Sequence, residues 1–195
     1  MGKIICLMGK SSSGKDTIFR ELLKEGTLGL KTIVPYTTRP IRTGEKDGAD
    51  YHYTDEAGFQ KLLNEGKIIE ERAYNTAHGL WRYFTVSDAS IELEKSDYCM
   101  IGTLEAYVHI KEYFGEDKVL PVYIEIDDGE RLQRALSRER SQKEPKYEEM
   151  CRRFLADCQD FAEEKIEAAG IMVRFANEAL DACLENIIQY IQANT

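Results

Sequence analysis

The sequence is short of what membrane, nucleic-acid-binding and disulfide-stapled proteins are built from. No apolar run approaches the ~20 residues that cross a bilayer, which speaks against a membrane helix. Basic residues are the minority, 26 against 35 acidic ones for a net charge of −9, so the surplus that a DNA or RNA backbone demands is missing. That still leaves room for a small basic pocket, because a mononucleotide needs only a few Lys and Arg. The cysteines Cys6, Cys99, Cys151, Cys158 and Cys183 form no CxxC pair and are odd in number. Cys6 and Cys99 lie in apolar runs, the usual place of a buried free thiol. His52, His78 and His109 lack metal-ligand spacing and read as surface or loop residues. The start, MGKIIC, reads as a core strand rather than a leader, and Cys6 stands where an N-myristoylation signal wants Ser or Thr. Internal repeats and low-complexity tracts are absent too. These features predict one cytoplasmic domain in a reducing compartment, with no structural disulfide, no membrane and no nucleic-acid partner.

What is there is an alternation of short apolar runs with longer periodic segments. The runs Lys3–Met8, Lys31–Pro35, Tyr98–Ile101, Val119–Ile126 and Ile171–Phe175 fit strands buried on both faces of a parallel sheet. Helical patterns cover Lys15–Lys24, Leu104–Phe114, Gly129–Arg140 (Leu132 and Leu136 spaced by four), Tyr147–Ala168 and Leu180–Ile191. Alternation of this kind predicts an α/β fold of three layers with right-handed crossovers. Two segments interrupt it. Tyr36–Asp55 is loop-like, and a helix (Glu56–Glu65) and two β-like runs (Lys67–Tyr74, Trp81–Val86) follow, predicting an inserted mixed α/β lobe over about 36–90. SQKEPK, Ser141–Lys146, separates two Arg-bearing helices and marks a mobile flap in a helical lid over about 137–150. The remainder, 1–35 and 97–195, is the expected core.

GKSSSGKDT, Gly9 to Thr17, follows the first strand and opens the first helix, the setting that turns a glycine-rich match into a phosphate loop. Gly9 and Gly14 permit the required backbone angles, and the N–H groups of Lys10, Ser11, Ser12 and Ser13 can then converge on a phosphate. The helix N-terminus adds partial positive charge, and Lys15 would reach the β- and γ-phosphates of a nucleoside triphosphate. Asp16 stands where such loops offer a hydroxyl to magnesium. A bare carboxylate about 4 Å from a phosphate oxygen costs on the order of 4 kcal/mol at an effective dielectric of 20. With Mg²⁺ between them the sign reverses, so Asp16 reads as a metal ligand, or else as a helix N-terminal acid complementing the dipole. Thr17 can still give a hydroxyl to phosphate.

The second informative stretch is TTRPIRTGEKDGADYHY, Thr37 to Tyr53. Arg39, Arg42 and Tyr51 would suit a phosphate monoester; alone, such a loop reads better as a solvated basic surface. Phosphate loop, then TTRPIRTGEKDGADY, then Glu70 after an apolar pair, then RALSR, a polar flap, RRF and a strand ending in AN, resembles the guanylate kinase family over nearly the whole chain. The resemblance implies a P-loop nucleoside-monophosphate kinase with a core, a GMP-binding lobe and a lid. It would transfer a phosphoryl group from ATP to GMP with Mg²⁺. It implies that Arg39, Arg42, Tyr51 and Tyr83 hold the GMP phosphate and that Glu45 steadies the arginines. Glu70 would accept from guanine N1–H and N2–H₂, with Thr85 on the far edge. Arg134, Arg138, Arg152 and Arg153 would stabilise charge on the transferred group, and Asn177 would contact adenine, although its place before Leu180 also suits a helix cap.

Three positions depart from the family: Asp16, Gly102-Thr103-Leu104 after the CMI strand where acids are usual, and Pro35 where a base-touching serine is common. Asp16 and Gly102 read together as one magnesium ligand relocated. Two other functions stay open. One is a kinase for another phosphorylated acceptor such as ribose 1,5-bisphosphate, since such kinases resemble the SGKD loop. The other is a non-catalytic peptide-binding module of the same fold, which would typically have lost Lys15 and the lid arginines.

Overall fold

The computed structural model describes residues 2–42, 44–76, 79–88 and 91–195; His78 lies outside them. Strand β1 (Ile4–Met8) is wholly buried. It pairs in parallel with β7 (Tyr98–Ile101) on one side and β8 (Val119–Glu125) on the other. The edges are β2 (Lys31–Thr32) beside β7 and β9 (Arg174–Ala176) beside β8, also parallel, giving the order β2-β7-β1-β8-β9. Because β-strand side chains alternate, β1 feeds two cores. Ile4, Cys6 and Met8 pack with Leu104, Tyr107 and Ile110 of α3 (Leu104–Phe114). Ile5 and Leu7 pack with Ile18 and Leu22 of α1 (Lys15–Lys24) and with Cys183, Ile187 and Ile191 of α7 (Leu180–Asn194). The three layers follow from that alternation.

A second, mixed sheet is ordered β4-β3-β6-β5. It comprises β3 (Tyr36–Thr37), β4 (His52–Tyr53), β5 (Ile68–Thr76) and β6 (Gly79–Val86). Helix α2 (Glu56–Asn64) closes its small core of Phe59, Phe84 and Val86. The remaining helices are α4 (Asp128–Arg140), α5 (Tyr147–Asp160) and α6 (Glu163–Ala168), and Ser141–Lys146 is the turn between α4 and α5.

Several boundaries differ from the sequence reading. The strand expected over Lys31–Pro35 keeps only Lys31–Thr32, with one more ladder bond from Ile33 N to Cys99 O (3.2 Å). The chain then passes Pro35, which has no N–H to donate, into the second sheet, so part of the stretch read as loop is strand. The strand expected at Ile171–Phe175 lies at Arg174–Ala176, and Met172 is 86 % exposed. The long helix over Tyr147–Ala168 is broken at Phe161, whose backbone leaves the helical region (φ −112°, ψ 41°) as its ring enters the core. In α4 the buried positions are Arg131, Ala135 and Glu139, while Leu132 is exposed. The five thiols are free. Among the described residues no helix is long and apolar enough to cross a membrane.

Candidate active site

The loop Gly9–Lys15 leaves β1 and enters α1 through Gly14, which takes the left-handed conformation (φ 92°). Ser12 is also left-handed (φ 66°), and among the described residues it is the single non-glycine to be so; strain of that kind gathers at ligand-binding loops. Gly9 is needed for close approach, since a Cβ there would lie 2.5 Å from Ile124 O. The N–H groups of Gly14, Lys15 and Asp16 find no acceptor among the described residues. The buried hydroxyls of Ser12 and Ser13 have no hydrogen-bond partner among the described residues. Orphaned donors cost about 1–3 kcal/mol each when buried, so the loop is built to receive an acceptor-rich group. Lys15 Nζ lies 3.9 Å from Asp16 Oδ2, and the Asp16 side chain is 75 % exposed. Thr17 accepts from Arg20 at 3.4 Å.

The loop is braced from two sides. Asn177 is buried and donates from Nδ2 to Ser13 O (2.7 Å), while its carbonyl accepts from Arg134 Nη2 (3.1 Å). It does not cap α7, whose N-cap is Ala179. On the other side, Ser11 N–H donates to Asp157 Oδ2 (2.8 Å), which also accepts from Arg131 Nη1 (3.1 Å). Arg131 Nε reaches Asp128 Oδ1 (3.0 Å), and Lys10 Nζ reaches the same oxygen (3.3 Å). Arg131, Asp128 and Asp157 belong to no motif that would mark them in the sequence.

Facing the loop is a cleft of about 1220 Å³ between the second sheet and helices α4 and α5. Its lining brings together Ser11, Ser12, Arg39, Arg42, Tyr51, Tyr83, Arg138, Arg152 and Arg153 from the expected site. The set is strongly basic within a chain of net charge −9. Glu45, Glu70, Thr85, Arg134, Lys15 and Asn177 stand outside the lining. Arg39 is held end-on by Glu45, with Nη1–Oε2 and Nη2–Oε1 both 2.7 Å, and its guanidinium lies 5.0 Å from the Tyr51 ring centre. Glu45 also accepts from Arg42 N (2.8 Å) and the Tyr53 hydroxyl (2.7 Å). The Arg39 hydrogen bonds, with those from Tyr53 and Arg42, hold the Glu45 carboxyl down at about 2 against an ordinary 4.5. Burial pushes the Tyr51 phenol up. The Arg42 side chain makes no hydrogen bond among the described residues. Arg152 and Arg153 are both paired with Glu149 (2.7 and 2.8 Å).

A five-stranded parallel sheet of this order, with a glycine-rich phosphate loop between its central strand and the following helix, defines a P-loop NTPase fold. A crystal structure of guanylate kinase from Anaplasma phagocytophilum shares this fold, with a TM-score of 0.70 at 20 % identity over 98 % of this chain and 85 % of that one. The family model for guanylate kinase matches residues 1–194. A guanylate kinase of Chlorobaculum tepidum is 31 % identical over 137 residues, 69 % of this chain and 67 % of that protein. A guanylate kinase of Schizosaccharomyces pombe is 44 % identical over 68 residues; there the match spans about a third of the relative's length (34 %). The chain belongs to the guanylate kinase family.

Proposed function

We propose that the protein transfers the γ-phosphoryl group of ATP to GMP, giving ADP and GDP. The observation that carries this reading is the single cleft in which Ser11 and Ser12 of the phosphate loop face Arg39, Arg42, Tyr51 and Tyr83 across a basic gap. In this reading the core, the second sheet (about 36–90) and the α4–α5 region (lid, about 137–150) act as three parts. The loop from Gly9 to Thr17 holds the ATP phosphates, with Lys15 neutralising charge at their outer end, and Asn177 fixes the loop's shape. Arg39, Arg42, Tyr51 and Tyr83 hold the acceptor phosphate, and Glu45, which takes the Arg39 fork end-on, fixes that guanidinium beside it. Arg138 and Arg153 reach into the gap from α4 and α5, where charge spreads over the transferring group, and Arg134 secures Asn177. Phosphoryl transfer asks for positioning and positive charge more than for covalent chemistry. Closure of α4 and α5 over both nucleotides would keep water from the γ-phosphate.

Asp16 is exposed at the loop's end, its carboxylate 3.9 Å from Lys15 Nζ, which fits one carboxylate holding Mg²⁺ together with substrate phosphates and water. The ion, when bound, supplies charge neutralisation between the phosphates. Retention of Lys15, Arg138 and Arg153 speaks for catalysis over a peptide-binding module.

The test is ADP release from Mg-ATP with GMP, dGMP, AMP, CMP, UMP or ribose 1,5-bisphosphate supplied singly. Turnover with GMP, lost in Lys15→Ala, is expected; turnover with the sugar bisphosphate alone would overturn the acceptor half.

A further inference from the structure

Strand alternation sets Glu70, Arg72 and Tyr74 on one face of β5, opposite Thr85, Tyr83 and Trp81 of β6. Of these six, Arg72, Tyr74, Trp81 and Tyr83 line the cleft, whereas Glu70 and Thr85 lie beneath it, 3 % and 0 % exposed. The Glu70 carboxylate is already engaged at both oxygens. Oε2 accepts from Arg72 Nε (2.9 Å), and Oε1 accepts from Arg72 Nη2 (3.2 Å) and from the Thr85 hydroxyl (2.7 Å). The guanidinium therefore stands between the acid and the cleft.

Arg72 carries five N–H donors. Two go to Glu70 and one, from Nη1, to the Thr103 hydroxyl (3.5 Å). One N–H remains on each terminal nitrogen. A guanidinium with an N–H left on each terminal nitrogen can pair with the adjacent O6 and N7 acceptors of a 6-oxopurine. These donors oppose adenine, which presents an amino donor at the 6-position. The Arg72–Glu70 pair is neutral as a unit, so it adds no surplus charge of its own to draw a second phosphate. The rings of Tyr51, Tyr74, Trp81 and Tyr83 around it suit a flat base better than a sugar.

Resting on the acceptor reading above, we propose that Arg72 determines specificity by donating to O6 and N7 of the base. Glu70 and Thr85 are then positioning residues that hold the guanidinium. The acceptor class is the 6-oxopurine nucleoside monophosphates, IMP as well as GMP, because nothing in this arrangement reads the 2-amino group. Direct contact of Glu70 with guanine N1–H and N2–H₂ would instead make IMP a poor acceptor.

The experiment compares kcat/KM of the wild-type protein for GMP, IMP, AMP and 7-deaza-GMP, which lacks the N7 acceptor. IMP is expected within about tenfold of GMP, while 7-deaza-GMP and AMP fall by about tenfold or more, the range of one bidentate arginine contact. In Arg72→Ala the 7-deaza penalty should vanish, with GMP and 7-deaza-GMP within about twofold. Glu70→Gln should raise KM for GMP more than it lowers kcat and should shrink the 7-deaza penalty. Turnover of GMP with IMP more than about tenfold worse, or with no 7-deaza penalty, overturns this inference and leaves the kinase reading intact. No turnover of any purine monophosphate overturns both. The wild-type series decides the matter even where Arg72→Ala does not fold.

Discussion

Asp157 Oδ2 lies 2.8 Å from the backbone nitrogen of Ser11, so a carboxylate from α5 holds the phosphate loop by its own N–H. The same oxygen takes a hydrogen bond from Arg131, which is 1 % exposed, pairs also with Asp128 and stacks 4.1 Å from the Phe154 ring centre. Loop, α4 and α5 are thereby one charged unit. Asp157→Ala leaves Arg131 half-paired and is expected to cost about 2–3 kcal/mol, below the full cost of breaking a buried pair because Asp128 remains. Urea unfolding checks it, and an unchanged midpoint would mean the contact carries no stability.

The Glu45 carboxyl has a pH signature. An acid whose pKa is lower in the folded state stabilises above its unfolded value and loses that contribution as acidification passes the folded value. For Glu45 the window runs from 4.5 down to about 2. The difference in urea midpoint between wild type and Glu45→Gln should be full at pH 7 and shrink through that window. A difference constant with pH would mean that the Arg39 pairing does not set this carboxyl's titration.

Gly14 cannot carry a side chain without cost. Its φ is 92°, and a Cβ would sit 2.2 Å from Asn177 Nδ2. The left-handed conformation alone costs about 1–2 kcal/mol for an L-residue, and Asn177 would have to release Ser13. Gly14→Ala should weaken ATP binding by about tenfold or more with helical content unchanged, read from ATP-dependent thermal shift and circular dichroism.

Asp16→Ala should raise the Mg²⁺ concentration for half-maximal turnover by at least about tenfold, by analogy with the cost of losing groups that support a bound metal. An unchanged magnesium dependence would return Asp16 to a role at the helix dipole.

Much of the fold was legible because its signals are local. Helix α1 begins and ends where the phosphate-loop pattern places it, and β7 and α3 match their apolar runs. The break at Phe161 was not legible, because no glycine or proline marks it; a buried ring chosen by the tertiary core ends α5. Arg131 was hidden for a related reason: Leu132 and Leu136 suggested the inward face of α4, and the ion pairs to Asp128 and Asp157 rotate burial onto an arginine. Arg72 left a trace. It lies two residues after Glu70 in a run with β character, and that spacing alone puts both side chains on one face. The expected carboxylate after β7 meets a packing limit, since a Cβ on Gly102 would lie 3.0 Å from Cys6 Sγ.

Trp81 is the sole tryptophan of the chain, and it lines the cleft across from Tyr74. Its indole emission therefore comes from the place where an acceptor base would arrive, with no second indole elsewhere to dilute it. Occupancy of the acceptor site can be followed optically on the unlabelled wild-type protein, separately from events at the phosphate loop, and the order in which the two nucleotides bind becomes a question for a stopped-flow trace.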